Sequence, residues 1–276
     1  MVILKRLYSV FHGHRSRTTK KKSRRWEQRR MPSKRHDCIG WEAAQVGTTL
    51  RHFYTTARAG AVRLSDGGGP FGFDVMVALL VDDLLRAYQF DAIIETGCFL
   101  GDTSDYLAHR YPDLPVRTCD INSEYALFTR RRLADQPNAH VDCLDSPDFV
   151  TWATSTYQRP LFFLDAHWGE AWPLQRELAA ITRGVVLIHD FDIGHPRFAY
   201  DTYNGLVCGP QVLALMPEPP PVYFTPDPHA DWPLPCLQVG RRAGIGVVSL
   251  GLDPEPLHEH PALICHELYS ETVVTT

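Results

Sequence analysis

Apolar residues in the middle of this chain follow two alternating patterns. Short strand-like runs that end near an acid recur at Ala92–Glu95, Val116–Asp120, Val141–Leu144, Leu161–Asp165 and Val185–Asp190. Of these, Leu161–Asp165 is apolar up to its final acid and predicts a strand covered on both faces. Between them the apolar positions spread to helical spacing. Asp74 precedes Met76, Leu80 and Leu84, and Asp102 opens a second helix with Asp105 three residues on, in capping-box fashion. Ser123 is the expected cap of a third, Ser146-Pro147 opens a fourth, and Pro173 starts a fifth bearing Leu174, Leu178 and Ile181. Such alternation implies right-handed crossovers and a parallel sheet with helices on both sides. Val222–Thr225 and Ile245–Leu250 read as two further strands with no strong helix between them, hence a closing hairpin. The expected fold is α/β and doubly wound: a mostly parallel seven-stranded sheet with one antiparallel strand near the C-terminus.

Charge divides the 276 residues unevenly. The net charge is −4, but residues 1–35 hold 13 of the 28 Lys and Arg and a single acid, Glu27. The rest has 15 basic against 31 acidic residues, a balance of about −16. This composition predicts a basic, disordered extension over 1–40, a lid or substrate region over 41–70, a ligand-binding domain over 71–250, and a C-terminal extension over 251–276. The basic piece is read as a solvated tail or as sequence upstream of a natural start at Met31, with nucleic-acid contact as the rival. No apolar run approaches the roughly 18 residues of a membrane span. Seven scattered cysteines with no C-x-x-C pair point to reduced thiols and a cytoplasmic location. His258, Glu259 and His260 with Cys265 and His266 match no zinc spacing and read as a surface segment.

The chemistry gathers at the carboxyl ends of the strands, where open α/β sheets bind ligands. The first strand runs into Glu95-Thr-Gly97-Cys98-Phe-Leu-Gly101-Asp-Thr103. This turn lacks the second glycine of G-x-G-x-x-G, which argues against a dinucleotide. Asp120 ends the second strand, 23 residues beyond Gly97, near the spacing at which an acid meets a ribose diol. Asp145 and Ser146 follow the third strand, Asp165-Ala-His167 the fourth, and His189-Asp190 ends the fifth. Each has an ordinary structural reading, as a cap, a turn residue or a satisfied histidine. Their agreement in order and spacing is what singles them out.

Across roughly Phe71 to Leu250 this set resembles the class I, Rossmann-like S-adenosylmethionine-dependent methyltransferases. It leans toward the metal-dependent O-methyltransferases of the catechol, caffeoyl-CoA and macrocin type. The resemblance implies S-adenosyl-L-methionine bound by Glu95, Gly97, Cys98, Gly101, Thr103, Asp120, Asp145, Ser146 and Asp165. It also implies a divalent metal, Mg, Mn or similar, at Asp165, His189 and Asp190. Histidine at 189 departs from the family's carboxylate and shifts the preference toward Mn, Fe or Zn. Alternatively, His189 or His167 is a general base with no metal. The implied acceptor is a small-molecule hydroxyl such as a sugar or catechol diol, with the aromatic stretch 198–205 in its pocket, and a homodimer is an allowed assembly. The rivals are an NAD(P)-type oxidoreductase and a non-enzymatic protein acting through its basic tail. An amino-group nucleic-acid methyltransferase would carry an Asn/Asp-Pro-Pro-Tyr/Phe motif at the fourth strand, and this chain has none.

Overall fold

A computed structural model describes residues 43–59, 68–166, 172–233 and 243–268. The basic extension over 1–40, residues 60–67 of the 41–70 region, His167, and the Arg241-Arg242 pair lie outside the described residues. Five parallel strands form the centre: β1 (Ala92–Thr96), β2 (Val116–Asp120), β3 (Ala139–Cys143), β4 (Pro160–Leu164) and β5 (Gly184–His189). A small hairpin follows, β6 (Thr202–Tyr203) and β7 (Leu206–Val207), and then β8 (Val222–Pro226), β9 (Ile245–Leu250) and β10 (Leu263–Glu267). The main sheet runs β10-β8-β9-β5-β4-β1-β2-β3.

The α/β, mostly parallel expectation holds, and its strand count is corrected. Strand β9 is antiparallel to both β5 and β8, so β8 runs with the first five strands. Strand β10 then pairs antiparallel to β8, which makes eight strands with two reversed. The segment read as a surface tail is therefore an edge strand. Its alternating exposed residues Ile264 and Cys265 and half-buried His266 lack the continuous apolar run that marks a central strand. His266 stacks on Tyr223 and bonds Thr225, and His260 is buried, so these groups support the sheet edge.

Period-two alternation sorts the strands' side chains into two cores. Ile93, Leu161, Phe163, Leu187 and Val247 face helices α1 (Ala43–Thr55), α2 (Val75–Ala87) and α3 (Asp102–Arg110). Ile94, Phe162, Leu164, Val186 and Val248 face α5 (Ser146–Thr156) and α6 (Leu174–Ala180). Strands β1, β4 and β5 are buried along their whole length, as their unbroken apolar runs require. The remaining helices are α4 (Ser123–Arg132), α7 (Pro210–Ala214) and α8 (Glu255–His258).

Helix starts agree with the sequence in part. The Asp74 carboxylate accepts from Met76 N–H at 3.0 Å and caps α2. The cap of α4 is Asn122, one residue before the expected Ser123, and its Oδ1 accepts from Glu124 N–H at 2.9 Å. Helix α3 has no capping box. Gly101 occupies its N-cap in the left-handed region, and Asp102 and Asp105 turn away to Arg132.

Candidate functional site

Strand β1 delivers the chain to a turn that only glycine fits. Gly97 has φ 79°, and a Cβ there would lie 2.8 Å from the carbonyl oxygen of Asp165. Gly97 and Cys98 N–H both donate to Cys119 O, at 3.0 and 2.9 Å, which pins the turn against the end of β2. At Gly101, φ 74°, a Cβ would meet the Thr129 methyl at 2.6 Å, while Thr129 Oγ1 donates to Phe99 O at 2.9 Å. The loop is thus pressed between β4 and α4.

Beside it, Asp120 ends β2 as expected. One carboxylate oxygen accepts from Phe99 N–H at 2.9 Å and the other from Asn122 N–H at 2.8 Å. Burial raises its pKa and these two amides pull it back. Each oxygen keeps a further acceptor site. Three neighbouring strand ends expose large apolar side chains around it: Phe99 at 47 %, Ile121 at 69 % and Leu144 at 39 %. An acid set in an apolar ledge suits the ribose and flat base of a nucleoside. Leu144 precedes the Asp145-Ser146 pair that the sequence singles out; Phe99 and Ile121 carry no such signal, because an apolar residue at a strand end looks like ordinary core.

Other predicted donor-site residues have internal duties. Glu95 is buried, and one of its oxygens accepts from Ser104 Oγ and from Thr118 Oγ1, the latter at 2.7 Å. Burial lifts its pKa to about 7, with Asp165 and Asp120 adding to the effect. Cys98 is buried beside it, and burial pushes its thiol up. Thr103 Oγ1 accepts from Phe71 N–H at 2.9 Å. Asp145 pairs with Arg176 at 3.1 Å, and Ser146 is buried at the start of α5.

At the adjoining ends of β4 and β5 the second constellation assembles. His189 Nδ1 lies 2.8 Å from Asp165 Oδ1 and 3.4 Å from Asp190 Oδ2. One donor atom from each residue falls within 4.8 Å of the others, the only such His/Cys/Asp/Glu group among the described residues. Asp190 holds a left-handed φ of 54°, a costly conformation that often marks a functional turn. Burial disfavours a charged His189, but the carboxylates of Asp165 and Asp190 outweigh it and lift its pKa well above 6.5. A proton on Nδ1 and a divalent cation therefore compete for one position between the same carboxylates.

Ile245, which pairs with His189 across β9 and β5, lines a cavity of about 510 Å³. Its lining includes Met76, Val77, Leu80, Phe198, Trp232 and Ile245, with Arg197 and three aspartates also present. The expected aromatic stretch contributes Phe198, while 202–207 forms the β6–β7 hairpin. Asn204 and Gly205 turn that hairpin with positive φ.

No protein-family model and no curated protein matches the chain. Among solved structures it is similar to a Staphylococcus aureus protein assigned as a caffeoyl-CoA O-methyltransferase, at 18% identity over 42% of this chain and 57% of that one, TM-score 0.35. It is also similar to a Klebsiella pneumoniae protein assigned as an O-methyltransferase, at 16% identity over 78% and 93%, TM-score 0.43. A third is an rRNA methylase from Streptococcus thermophilus, at 14% identity over 63% and 96%, TM-score 0.38. The chain spans just over half the length of the first of these. At such scores the assignment of function falls to the chemistry of the site itself.

Proposed function

We propose that this protein is an S-adenosylmethionine-dependent methyltransferase acting on a hydroxyl of a small molecule. The observation that carries the reading is the carboxylate of Asp120, set in the apolar ledge of Phe99, Ile121 and Leu144 beside the Gly97–Gly101 turn. Asp120 would receive the ribose hydroxyls, and the ledge would receive the adenine. Thr96 to Gly101 would line the rest of the donor, with Glu95 supporting that turn from beneath. When bound, the donor supplies an electrophilic methyl on a sulfonium.

The chain's own residues then act on the acceptor. The cavity lined by Ile245, the β9 partner of His189, would hold the acceptor's body, and its mixture of apolar side chains with Arg197 and three aspartates suits a molecule that is part apolar and part hydroxylated. Asp165 accepts from His189 Nδ1–H and orients the ring, so that the imidazole can take the hydroxyl proton in its neutral form. A divalent cation at Asp165, His189 and Asp190 is the second reading, favoured by donor atoms within 4.8 Å of one another. The donor set fits an ion that accepts imidazole, such as Mn, Fe or Zn, and the ion would hold the acceptor's oxygen and lower its pKa.

Calorimetric titration with S-adenosylhomocysteine and with NAD tests the donor site. Binding of the first and not the second is expected, and the converse overturns the reading. Titration with and without Mn²⁺, and turnover in chelator, separates the two acceptor-side readings.

A further inference from the structure

Arg132, the last residue of α4, joins two pieces of chain that the sequence keeps far apart. Its side chain is 12 % exposed. The guanidinium donates to Leu100 O at 2.7 Å, to the Asp102 carboxylate, and to Asp105 Oδ2 at 2.8 Å, all in the donor loop and the start of α3. It also donates to Ala57 O, just after α1. The same Asp102 oxygen accepts from Ala59 N–H at 2.9 Å. A further tie runs from Phe71 N–H to Thr103 Oγ1. None of these groups serves a helix cap, since Gly101 occupies the N-cap of α3 without a side-chain bond.

The N-terminal partner is held against local preference. Phe71, Gly72 and Phe73 all lie in the left-handed region, at φ 53°, 63° and 63°. For the two phenylalanines this conformation is strained, so the turn persists only where its surroundings over-determine it. Phe71 is wedged edge-on against Tyr106 and Phe163, while Phe73 stacks on Phe53 of α1 with the Arg58 guanidinium 4.0 Å above its ring. Docking of α1 and the shape of the donor loop therefore draw on one shared set of contacts.

We propose that Arg132 is a positioning residue for the methyl donor: it holds the 97–102 loop in its binding shape only while α1 and residues 57–59 are docked, so that donor binding and α1 docking favour each other. The inference rests on the donor reading above. Linkage of this kind is reciprocal, and each event strengthens the other by the same factor.

The test uses the full chain, S-adenosylhomocysteine titration, and hydrogen exchange of the amides of residues 43–56 with and without saturating ligand. In the wild type the ligand should slow exchange across α1. Arg132→Gln should weaken binding at least tenfold and remove that slowing, with Arg132→Lys intermediate and Arg131→Gln, an exposed neighbour, like wild type. Leu50→Asp, on α1 and away from the loop, should also weaken binding several-fold, and it decides the matter should Arg132→Gln misfold. Wild-type affinity in Leu50→Asp, or unchanged α1 exchange on ligand addition, overturns the linkage and leaves the donor reading standing. A wild-type protein with no affinity for the ligand overturns both.

Discussion

Gly97 illustrates how much of the site depends on single residues. Its φ of 79° and the Asp165 carbonyl 2.8 Å from its Cβ position leave no room for any side chain. Gly97→Ala should cost about 1–3 kcal/mol of stability and abolish donor binding, measured by urea denaturation and by titration with S-adenosylhomocysteine. Glu95 makes a different prediction. Its folded pKa of about 7 exceeds the unfolded value of 4.5, so the folded chain keeps a proton that the unfolded chain has lost. The group's favourable contribution is complete below pH 4.5 and is lost as pH rises through about 7, a decline on the order of 3 kcal/mol. Glu95→Gln keeps an acceptor for Ser104 and Thr118 and should flatten that decline in denaturation curves taken at pH 5 and pH 8. For His189 the sign follows from the carboxylates that lift its pKa. A ring that must be neutral to take a proton gives a rate that climbs on the alkaline side, and Asp165→Asn, which weakens the lift, should move the climb to lower pH. The placement of Gly97, Asp120 and His189 was legible because each stands at the carboxyl end of a strand. The contacts of Glu95 could not, since its partners Ser104 and Thr118 sit nine and 23 residues away on other elements.

Among the elements, helix α4 separates sequence signal from realised structure. Asn122 and Ser123 are both good capping residues, and sequence preference cannot rank two adjacent candidates. Asn122 is favoured because its backbone N–H is already held by Asp120, which places its side chain over the first turn. Asn122→Ala should therefore destabilise by about 1 kcal/mol while Ser123→Ala changes little, a contrast that chemical denaturation reads directly. Helix α1 and strand β10 show the opposite situation. Both fall in stretches whose own pattern is weak, and both are held by contacts made elsewhere. Thr49 and Phe53 are the buried residues of α1, which packs on α2 and α3, and β10 follows the backbone register of β8 from Val222 to Pro226. A strand held by backbone pairing at an edge needs no apolar signature.

At the scale of the whole molecule, strand pairing brings the Asp165, His189 and Asp190 cluster together. Asp165 and Asp190 reach their common neighbour His189 because β4 and β5 pair in parallel and end at the same level. Asp165→Ala or Asp190→Ala should abolish methyl transfer while S-adenosylhomocysteine still binds, since the donor-side contacts of Asp120 lie on the other side of β1. Full activity of either variant, or of wild type in chelator, would remove the metal reading. Deleting residues 1–30 tests the rival role of the basic segment: the enzyme reading expects kcat/KM within about twofold of the full chain, and a large loss would shift attention to that segment.

The sequence by itself determined the strand–helix alternation, the depth of the central strands and the identity of the residues at their carboxyl ends. Periodicity and glycine placement are local properties, written within a few residues of where they act. Only the tertiary structure decided that Asp165, His189 and Asp190 share one small volume, that β9 and β10 both run against the sheet, and that Arg132 reaches from α4 to the chain after α1. Those outcomes depend on strand order and on contacts between residues tens of positions apart, which hydrophobic pattern along the chain does not encode.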